Sequence, residues 1–144
     1  MSEVIDSFRG PYAFLSNFHS AEVTYNGLTY QNNEAAFQAQ KVLDDEKRKS
    51  FINLPPNKAK YAGRRVQLRS DWEDVKVGIM EDIVRAKFTQ NPELASKLID
   101  TGDSELIEGN NWRDTFWGVS SSTGKGQNHL GIILMKIREE LASK

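Results

Sequence analysis

The chain has 144 residues, of which 38% are hydrophobic and 10% aromatic, and this is enough for one packed core. Nineteen Lys and Arg residues against twenty Asp and Glu residues give a net charge of -1, which disfavours a protein that coats DNA with its whole surface. The chain contains no cysteine, which excludes disulfides, Cys-based zinc sites and thiol nucleophiles. We therefore expect a single domain over residues 1–144.

The start of the chain and its apolar runs bear on where the protein resides. Residues 1–6 have neither a basic stretch nor the apolar segment of a signal peptide. No apolar run approaches the roughly 18 residues that a membrane-spanning helix needs. We expect a cytoplasmic protein with no membrane partner.

The first predicted elements in chain order are strands and turns. Val4–Phe8 is predicted to be a short strand that ends at the turn Arg9-Gly10-Pro11. The aromatic-rich segment Tyr12–Phe18 fits neither the helical nor the strand period, and we expect a loop. Glu22–Tyr30 is predicted to be a hairpin, because alternating apolar residues flank Asn26-Gly27, the favoured two-residue hairpin turn.

Most of the remaining chain has helical periodicity. Six helices are predicted, namely Glu34–Leu43 with Asn32 or Asn33 as N-cap, Asp45–Ile52, Lys58–Ala62, Asp71–Phe88, a segment from Pro92 that closes at Gly102, and one that starts at Gln127. The fourth should bury a face formed by Trp72, Val75, Ile79 and Ile83, and the last a stripe formed by Leu130, Ile133, Leu134, Ile137 and Leu141. Between these last two helices, Glu105–Glu108 is predicted to be a strand and Gly109–Gly126 a polar loop. This order predicts an α+β fold in which helices dominate and a small antiparallel sheet is present.

The helix predicted from Glu34 carries the first candidate site. Glu34, Gln38 and Lys41 are spaced i, i+4 and i+7, which places a carboxylate, an amide and an ammonium on one face. Spacing alone favours a solvated surface. Three residues of the preceding loop suggest instead the wall of a cleft: Phe14, Asn17 and Phe18.

The second candidate is the segment 110–118, in which Trp112, Phe116 and Trp117 lie beside Arg113 and Asp114. The commoner reason for such rings in a loop is that they anchor it to the core. The functional alternative is a stacking platform for a planar base, with Asp114 placed to act on the bond below it.

Phosphate binding has two candidate segments. Residues 120–126 lead into the last helix, so Lys125 and backbone N–H groups could hold a phosphate at the helix N-terminus, although the spacing departs from a Walker A motif. Residues 57–69 carry five cations and no acid, a local charge of +5 that leaves -6 for the rest of a chain whose total is -1. Such a run is usually a solvated face, but it also suits phosphates. The two histidines, His19 and His129, have no partners at ligand spacing, so we expect no metal site.

Together these segments resemble the YbiA-like, or NADAR, family. The matching blocks appear in order along the chain: Phe14-Leu-Ser-Asn-Phe18, Glu34-x-x-Phe37-Gln-Ala-Gln-Lys41, Asp114-x-Phe116-Trp117-Gly118, and Gly124-Lys-Gly-x-Asn128 with the helix to Arg138. Several spaced blocks in one order are far more specific than any one of them. The glycine-rich loop between Gly118 and Gly124 varies within this family, and this bears on substrate choice.

The resemblance implies an α+β domain with N-glycosidase activity. Members of this family are associated with cleaving phosphoribosylated pyrimidine intermediates of riboflavin synthesis or with removing ADP-ribose from guanine in DNA. Both reactions break a ribose C1–N bond. By the family pattern, Glu34 matches the essential glutamate, and further site positions match Lys41, Asp114, Trp117 and Asn128.

The resemblance and the chemistry of C1–N cleavage give each candidate a role. Glu34 is the expected base or electrostatic stabiliser, Asp114 its catalytic partner, and Lys41 either an orienting cation or a Schiff-base nucleophile. The expected substrate-binding residues are Arg9, Phe14, Asn17, Phe18, Gln38, Trp117, Gly118, Lys125 and Asn128. The expected partner is a small phosphorylated nucleotide-like substrate or an ADP-ribosylated nucleic acid, with no cofactor and no obligate protein partner. A module that binds ADP-ribose or NAD without turnover is the alternative.

Overall fold

The computed structural model describes residues 3–144, so that Met1 and Ser2, which belong to the stretch searched for a signal peptide, lie outside it. The chain divides into two compact units, residues 17–91 and residues 3–16 with 92–144. In the described residues no helix has the length and apolarity needed to cross a membrane.

The unit formed by residues 17–91 contains a hairpin and four helices. The hairpin strands are β2 (Ser20–Tyr25) and β3 (Leu28–Asn32), and the helices are α1 (Asn33–Ala39), α2 (Asp45–Lys49), α3 (Pro56–Gly63) and α4 (Trp72–Gln90). Helix α1 packs against the hairpin, α3 and α4. It therefore occupies the middle of this unit.

The hairpin turn follows from its two central residues. Asn26 and Gly27 have φ values of 50° and 83°, and Tyr25 pairs with Leu28 across the two-residue loop. Positive φ at both positions is the geometry that asparagine followed by glycine favours. Val23 and Tyr30 face each other on the buried side of the ladder. The predicted hairpin is confirmed.

The other unit combines short strands with two helices. Its strands are β1 (Val4–Ile5), β4 (Glu105–Leu106), β5 (Gly109–Asn110) and β6 (Val119–Ser120), and its helices are α5 (Pro92–Asp100) and α6 (His129–Ala142). Strands β1 and β4 pair in parallel, as do β5 and β6, so only the hairpin is antiparallel. The segment expected to be a loop contains a 3₁₀ helix, Gly10–Leu15, which starts with Pro11 in its first turn and buries Phe14 and Leu15.

The helices form where they were predicted, with different ends. Asn32 caps α1 by accepting the backbone N–H of Ala35, as expected, but the helix ends at Ala39 rather than Leu43. The predicted buried face of α4 was partly wrong, because the side chains of Val75 and Ile79 are partly exposed. The side chains that α4 buries are Trp72, Met80, Ile83, Val84, Lys87 and Phe88. In α6 the predicted stripe is buried except for Leu141, which is partly exposed.

Candidate active site

Helix α1 is buried along its whole length although much of it is polar. Every residue from 32 to 40 is buried, and five of these nine side chains are polar: Asn32, Asn33, Glu34, Gln38 and Gln40. Burying a polar group costs free energy unless the group is hydrogen-bonded. The hydrogen bonds of these side chains therefore indicate which groups the helix positions. The surface-helix alternative is therefore wrong for Glu34 and Gln38.

Glu34 lies at the start of α1 and is only 9% exposed. The side-chain amide of Gln38, one turn later, donates from Nε2 to Glu34 Oε2 over 2.6 Å. An amide nitrogen can only donate, so Glu34 Oε2 is the acceptor of this short contact. The backbone N–H of Glu34 donates to the carbonyl of Asn17 over 3.1 Å. The predicted neighbours Asn17, Glu34 and Gln38 are thus brought together.

Lys41 follows the end of α1 and is partly buried. Its ammonium donates to the carbonyl oxygen of Gly63 at the end of α3 over 3.4 Å, and it lies 6.0 Å from the centre of the Trp72 ring. The Trp72 ring is itself held by Phe37, with ring centres 5.1 Å apart. Lys41 therefore has one carbonyl partner and an aromatic wall.

Burial lowers the pKa of Lys41. The negative charge of Glu34 opposes this effect, whereas the nearby cations Arg64 and Lys76 add to it. A lowered pKa leaves a larger fraction of this amine neutral at a given pH than for an exposed lysine.

Asn17 and Phe18, which precede the hairpin, occupy different environments. Asn17 is buried, accepts the side-chain amide of Asn33 over 3.3 Å and directs its own Nδ2 to the sulfur of Met80 over 3.5 Å. Phe18 is 43% exposed, and the ammonium of Lys60 lies 5.9 Å from the centre of its ring. Asn17 therefore supports α1, while Phe18 presents a ring to solvent.

The cations of residues 57–69 do not act as one group. Arg69 makes a two-pronged ion pair with Asp71, with contacts of 2.6 and 3.1 Å, and this neutralises its charge locally. Arg65 donates to the hydroxyl of Tyr61. Lys58 and Arg64 are exposed. Arg69 is therefore already paired, and phosphate binding by the other cations of this segment stays a prediction.

In the other unit, Asp114 shapes the loop that carries the aromatic residues. Its Oδ1 accepts the backbone N–H groups of Phe116 over 3.1 Å and of Trp117 over 2.9 Å. Its own backbone is held on both sides by the buried amide of Asn110, which donates to the Asp114 carbonyl and accepts the Asp114 N–H, each over 2.9 Å. One oxygen of Asp114 is therefore occupied by turn formation.

Asn128 joins this loop to the strand before it. It adopts a left-handed conformation with φ of 56°, accepts the backbone N–H of Glu108 and donates to the carbonyl of Leu106, each over 3.0 Å. Gly118 packs so closely on Glu108 that a Cβ atom there would overlap it. Asn128 and Gly118, both predicted to bind substrate, thus help to fix the conformation of this loop.

The backbone N–H groups that lead into α6 are already bonded. Gln127, Asn128, His129 and Leu130 donate to the carbonyls of residues 115, 118, 116 and 117, respectively. Backbone binding of a phosphate by these four N–H groups was therefore a wrong expectation, because the aromatic loop occupies them. Lys125 is exposed in the loop before them.

The remaining predicted binding residues of this unit differ in exposure. Trp117 packs edge-on against Phe116 with ring centres 4.8 Å apart, and Phe116 stacks on His129 at 4.4 Å. Trp117 remains partly exposed. Arg9 is exposed, whereas Phe14 is 5% exposed with the Lys97 ammonium 5.8 Å from its ring centre. Phe14 therefore has the surroundings of a core residue.

Residues 6–142 match the family model of the NADAR domain. This chain belongs to the NADAR domain family. Among its relatives, N-glycosidase YbiA of Shigella boydii is 38% identical over 134 residues, which cover 91% of this chain and 82% of that protein. The NMR structure of Escherichia coli YbiA has a TM-score of 0.85 and 37% identity and covers 99% of this chain and 88% of that one. A riboflavin biosynthesis protein of Vibrio vulnificus is 39% identical over 133 residues, 90% of this chain but 36% of that longer protein.

These similarities place the chain among the YbiA-like N-glycosidases of the NADAR family, and they confirm the predicted enzyme class and the helix-rich α+β fold. In residues 3–144, no group of three or more His, Asp or Glu side chains is placed to hold a metal ion. The sequence did not single out Gly63, which lies just beyond the predicted helix Lys58–Ala62 and accepts from Lys41. Asn110 was predicted only as part of the segment 110–118, whereas the structure shows that its amide holds the Asp114 backbone.

Proposed function

We propose that this NADAR enzyme hydrolyses the ribose C1–N bond of a phosphoribosyl or ADP-ribosyl nucleobase-type substrate, with Glu34 as its central catalytic group. The observation that carries the proposal is the buried Glu34 carboxylate, held by Gln38 over 2.6 Å. A carboxylate with so little exposure is kept in place by specific bonds, and such groups suit chemistry that develops positive charge.

Glycosidic cleavage passes through a state in which the ribose ring carries positive charge, mainly at C1 and the ring oxygen. An ionised Glu34 beside C1 stabilises that charge, and its second role is to accept a proton from the attacking water. The bond to Gln38 engages Oε2 and fixes the plane of the carboxylate. A fixed carboxylate needs no reorganisation as the charge forms.

Lys41 has two proposed roles that one experiment separates. As an ammonium it orients Glu34 electrostatically, consistent with the coupling between the two charges. As a neutral amine, favoured by its lowered pKa, it attacks C1 while the C1–N bond breaks and the base leaves with a proton. The resulting glycosylamine opens its ribose ring: the bond from C1 to the ring oxygen breaks, that oxygen becomes a hydroxyl, and C1 and the lysine nitrogen form a Schiff base that water later hydrolyses. Borohydride added during turnover traps an enzyme–sugar adduct in the second case, and an active enzyme that gives no adduct counts against the Schiff base.

The residues proposed to bind substrate are described unit by unit. In the unit formed by residues 3–16 and 92–144, we propose that Trp117 stacks on the base and that Arg9 and Lys125, which are exposed cations, bind phosphate. In the unit formed by residues 17–91, the exposed ring that we propose for substrate contact is Phe18. Asp114 serves the reaction by holding the Trp117 backbone in its turn. The alternative in which its carboxylate takes part in proton transfer is tested below.

A panel of candidate substrates tests whether the enzyme acts on a phosphoribosyl or on an ADP-ribosyl compound. The Vibrio relative, a riboflavin biosynthesis protein, supports a phosphoribosylated riboflavin intermediate. We therefore propose incubation with that intermediate, ADP-ribosylated guanine in DNA, NAD and free ADP-ribose, followed by mass spectrometry of released bases and sugars. Release of a free base from one of the first two supports the proposal. Stoichiometric binding of all four without any cleavage contradicts it.

A further inference from the structure

We propose that Gly63, at the end of α3, is a positioning residue for Glu34 and acts through the side chain of Gln38. This inference rests on the proposed role of Glu34 and extends it to a residue on another helix. Gly63 and Gln38 both belong to the unit formed by residues 17–91.

The first observation is a close approach that only glycine permits. A Cβ atom built on Gly63 would lie 2.6 Å from Cδ of Gln38 and closer still to its Oε1. Gly63 is buried and is the last residue of the helix α3. Helical backbone accepts alanine more readily than glycine, so the backbone conformation gives no reason for glycine here. The reason is the Gln38 amide, which packs on the bare Cα.

The second observation concerns the two ends of the Gln38 amide. Its Nε2 donates to Glu34 over 2.6 Å. Its Oε1 is buried and has no hydrogen-bond partner among residues 3–144. Buried amide oxygens are normally bonded, and exceptions often mark functional sites. The amide is thus held by Glu34 on one side and by contact with Gly63 on the other.

These contacts predict what a methyl group at Gly63 would do. The end of a glutamine side chain is flexible, so Gln38 can swing aside and the fold survives. The amide then leaves Glu34, and the carboxylate loses the donor that fixes its plane. The carbonyl of Gly63 accepts from Lys41, and we expect the added methyl group to leave this hydrogen bond in place. The substitution therefore separates the orientation of Glu34 from the anchoring of Lys41.

The test uses a double-mutant cycle with Gly63→Ala, Gln38→Ala and the double variant. Gly78→Ala is the matched control, because Gly78 is an exposed helix residue where an added Cβ meets nothing within 4 Å. We expect Gly63→Ala to lower kcat by about 10- to 100-fold with little change in KM, since small misplacements of reacting groups have effects of this size. The double variant should have the same kcat as Gln38→Ala, because Gly63 is proposed to act only through the Gln38 side chain.

A second readout is independent of activity. The side-chain amide resonances of Gln38 in a ¹H–¹⁵N spectrum, assigned by their loss in Gln38→Ala, should shift in Gly63→Ala and stay in place in Gly78→Ala. If wild type cleaves no substrate, the proposed function fails while these resonances still test the Gly63–Gln38 contact.

The inference is overturned if the Gln38 resonances do not shift in Gly63→Ala or if this variant has a normal kcat. It is also overturned if the double variant loses kcat by the product of the two single losses, because the two residues then act independently. It is also overturned if Gly63→Ala and the double variant both fail to fold, because glycine is then required by the fold itself. If only the single variant fails to fold and removal of the Gln38 side chain restores folding, the contact is supported.

Discussion

Two polar segments, residues 32–41 and residues 108–128, hold their acidic side chains in different ways: Glu34 is held by a side chain, and Asp114 bonds backbone N–H groups. In the first, Gln38 donates to another side chain, the carboxylate of Glu34. In the second, Asn110, Asp114 and Asn128 bond mainly to backbone atoms. A side chain that orients Glu34 fixes a candidate reacting group, whereas side chains that bond the backbone of their own loop shape that loop. We propose that residues 32–41 supply the chemistry and that the polar side chains of residues 108–128 mainly shape their own loop.

The contrast predicts that substitutions of the candidate reacting groups Glu34 and Lys41 reduce turnover far more than they reduce stability. Lys41→Met should lower kcat by about 10²- to 10⁴-fold, the range for loss of a positioned acid, base or nucleophile. Lys41→Arg keeps the charge but not the nucleophile. Partial activity in Lys41→Arg supports the orienting cation, and inactivity equal to that of Lys41→Met supports the Schiff base. Normal turnover in both variants would remove Lys41 from the site.

Substitutions in the second segment should reduce stability. Asn110→Ala removes four part-buried hydrogen bonds, two to the Asp114 backbone and two to Glu108, and should lower the free energy of unfolding by about 2 to 4 kcal/mol. Denaturant titration measures this loss. The control is Asn111→Ala, which replaces the exposed neighbouring residue. We expect it to change the free energy of unfolding by about 0.5 kcal/mol or less. Equal stability of the two variants would contradict the supporting role.

Trp117 is the residue of the second segment that we expect to contact substrate. Trp117→Ala should weaken binding by roughly 1 to 3 kcal/mol, the usual value of one base–aromatic stack, and raise KM accordingly. Steady-state kinetics on the substrate found with the panel measures the change. Trp112→Ala, in the same loop with the ring 48% exposed, is the control and should leave KM unchanged. Similar KM values for both variants would place the base elsewhere.

The smallest effect is expected for Asp114→Asn. Asparagine keeps an Oδ1 that accepts the N–H groups of Phe116 and Trp117, so the turn should form and activity should fall less than about 10-fold. Asp114→Ala removes the acceptor and should lose more activity and some stability. If Asp114→Asn is as inactive as Asp114→Ala while its stability is normal, the carboxylate itself takes part in catalysis, and the division between the two segments is wrong.

Elements with local signals were predictable from the sequence. The Asn26-Gly27 turn and the Asn32 cap depend on residues two or three apart, and both form as expected. The pairing of β1 with β4 joins residues about 100 positions apart over two residues each, and no local pattern marks it. The 3₁₀ helix at Gly10–Leu15 has too few turns to give a periodic signal.

In the candidate site, too, contacts within one helix were predictable and contacts between helices were not. The i, i+4 spacing of Glu34 and Gln38 predicted that they share a face, and their bond agrees with it. The contacts of Gly63 with Gln38 and Lys41 depend on how α3 packs against α1, which the sequence does not encode locally. Residue type alone does not distinguish a proton-transferring Asp114 from one that only accepts the hydrogen bonds of a turn, and the structure shows these hydrogen bonds.

The most direct measurement is the rate of base release by Glu34→Gln. Glutamine has nearly the same shape and still offers an oxygen to Gln38, so the substitution removes mainly the charge. Circular dichroism should show an intact fold, and the rate should fall by about 10³-fold or more, while Glu139→Gln on the exposed side of α6 keeps wild-type activity. A folded Glu34→Gln enzyme that releases base at the wild-type rate would contradict the account.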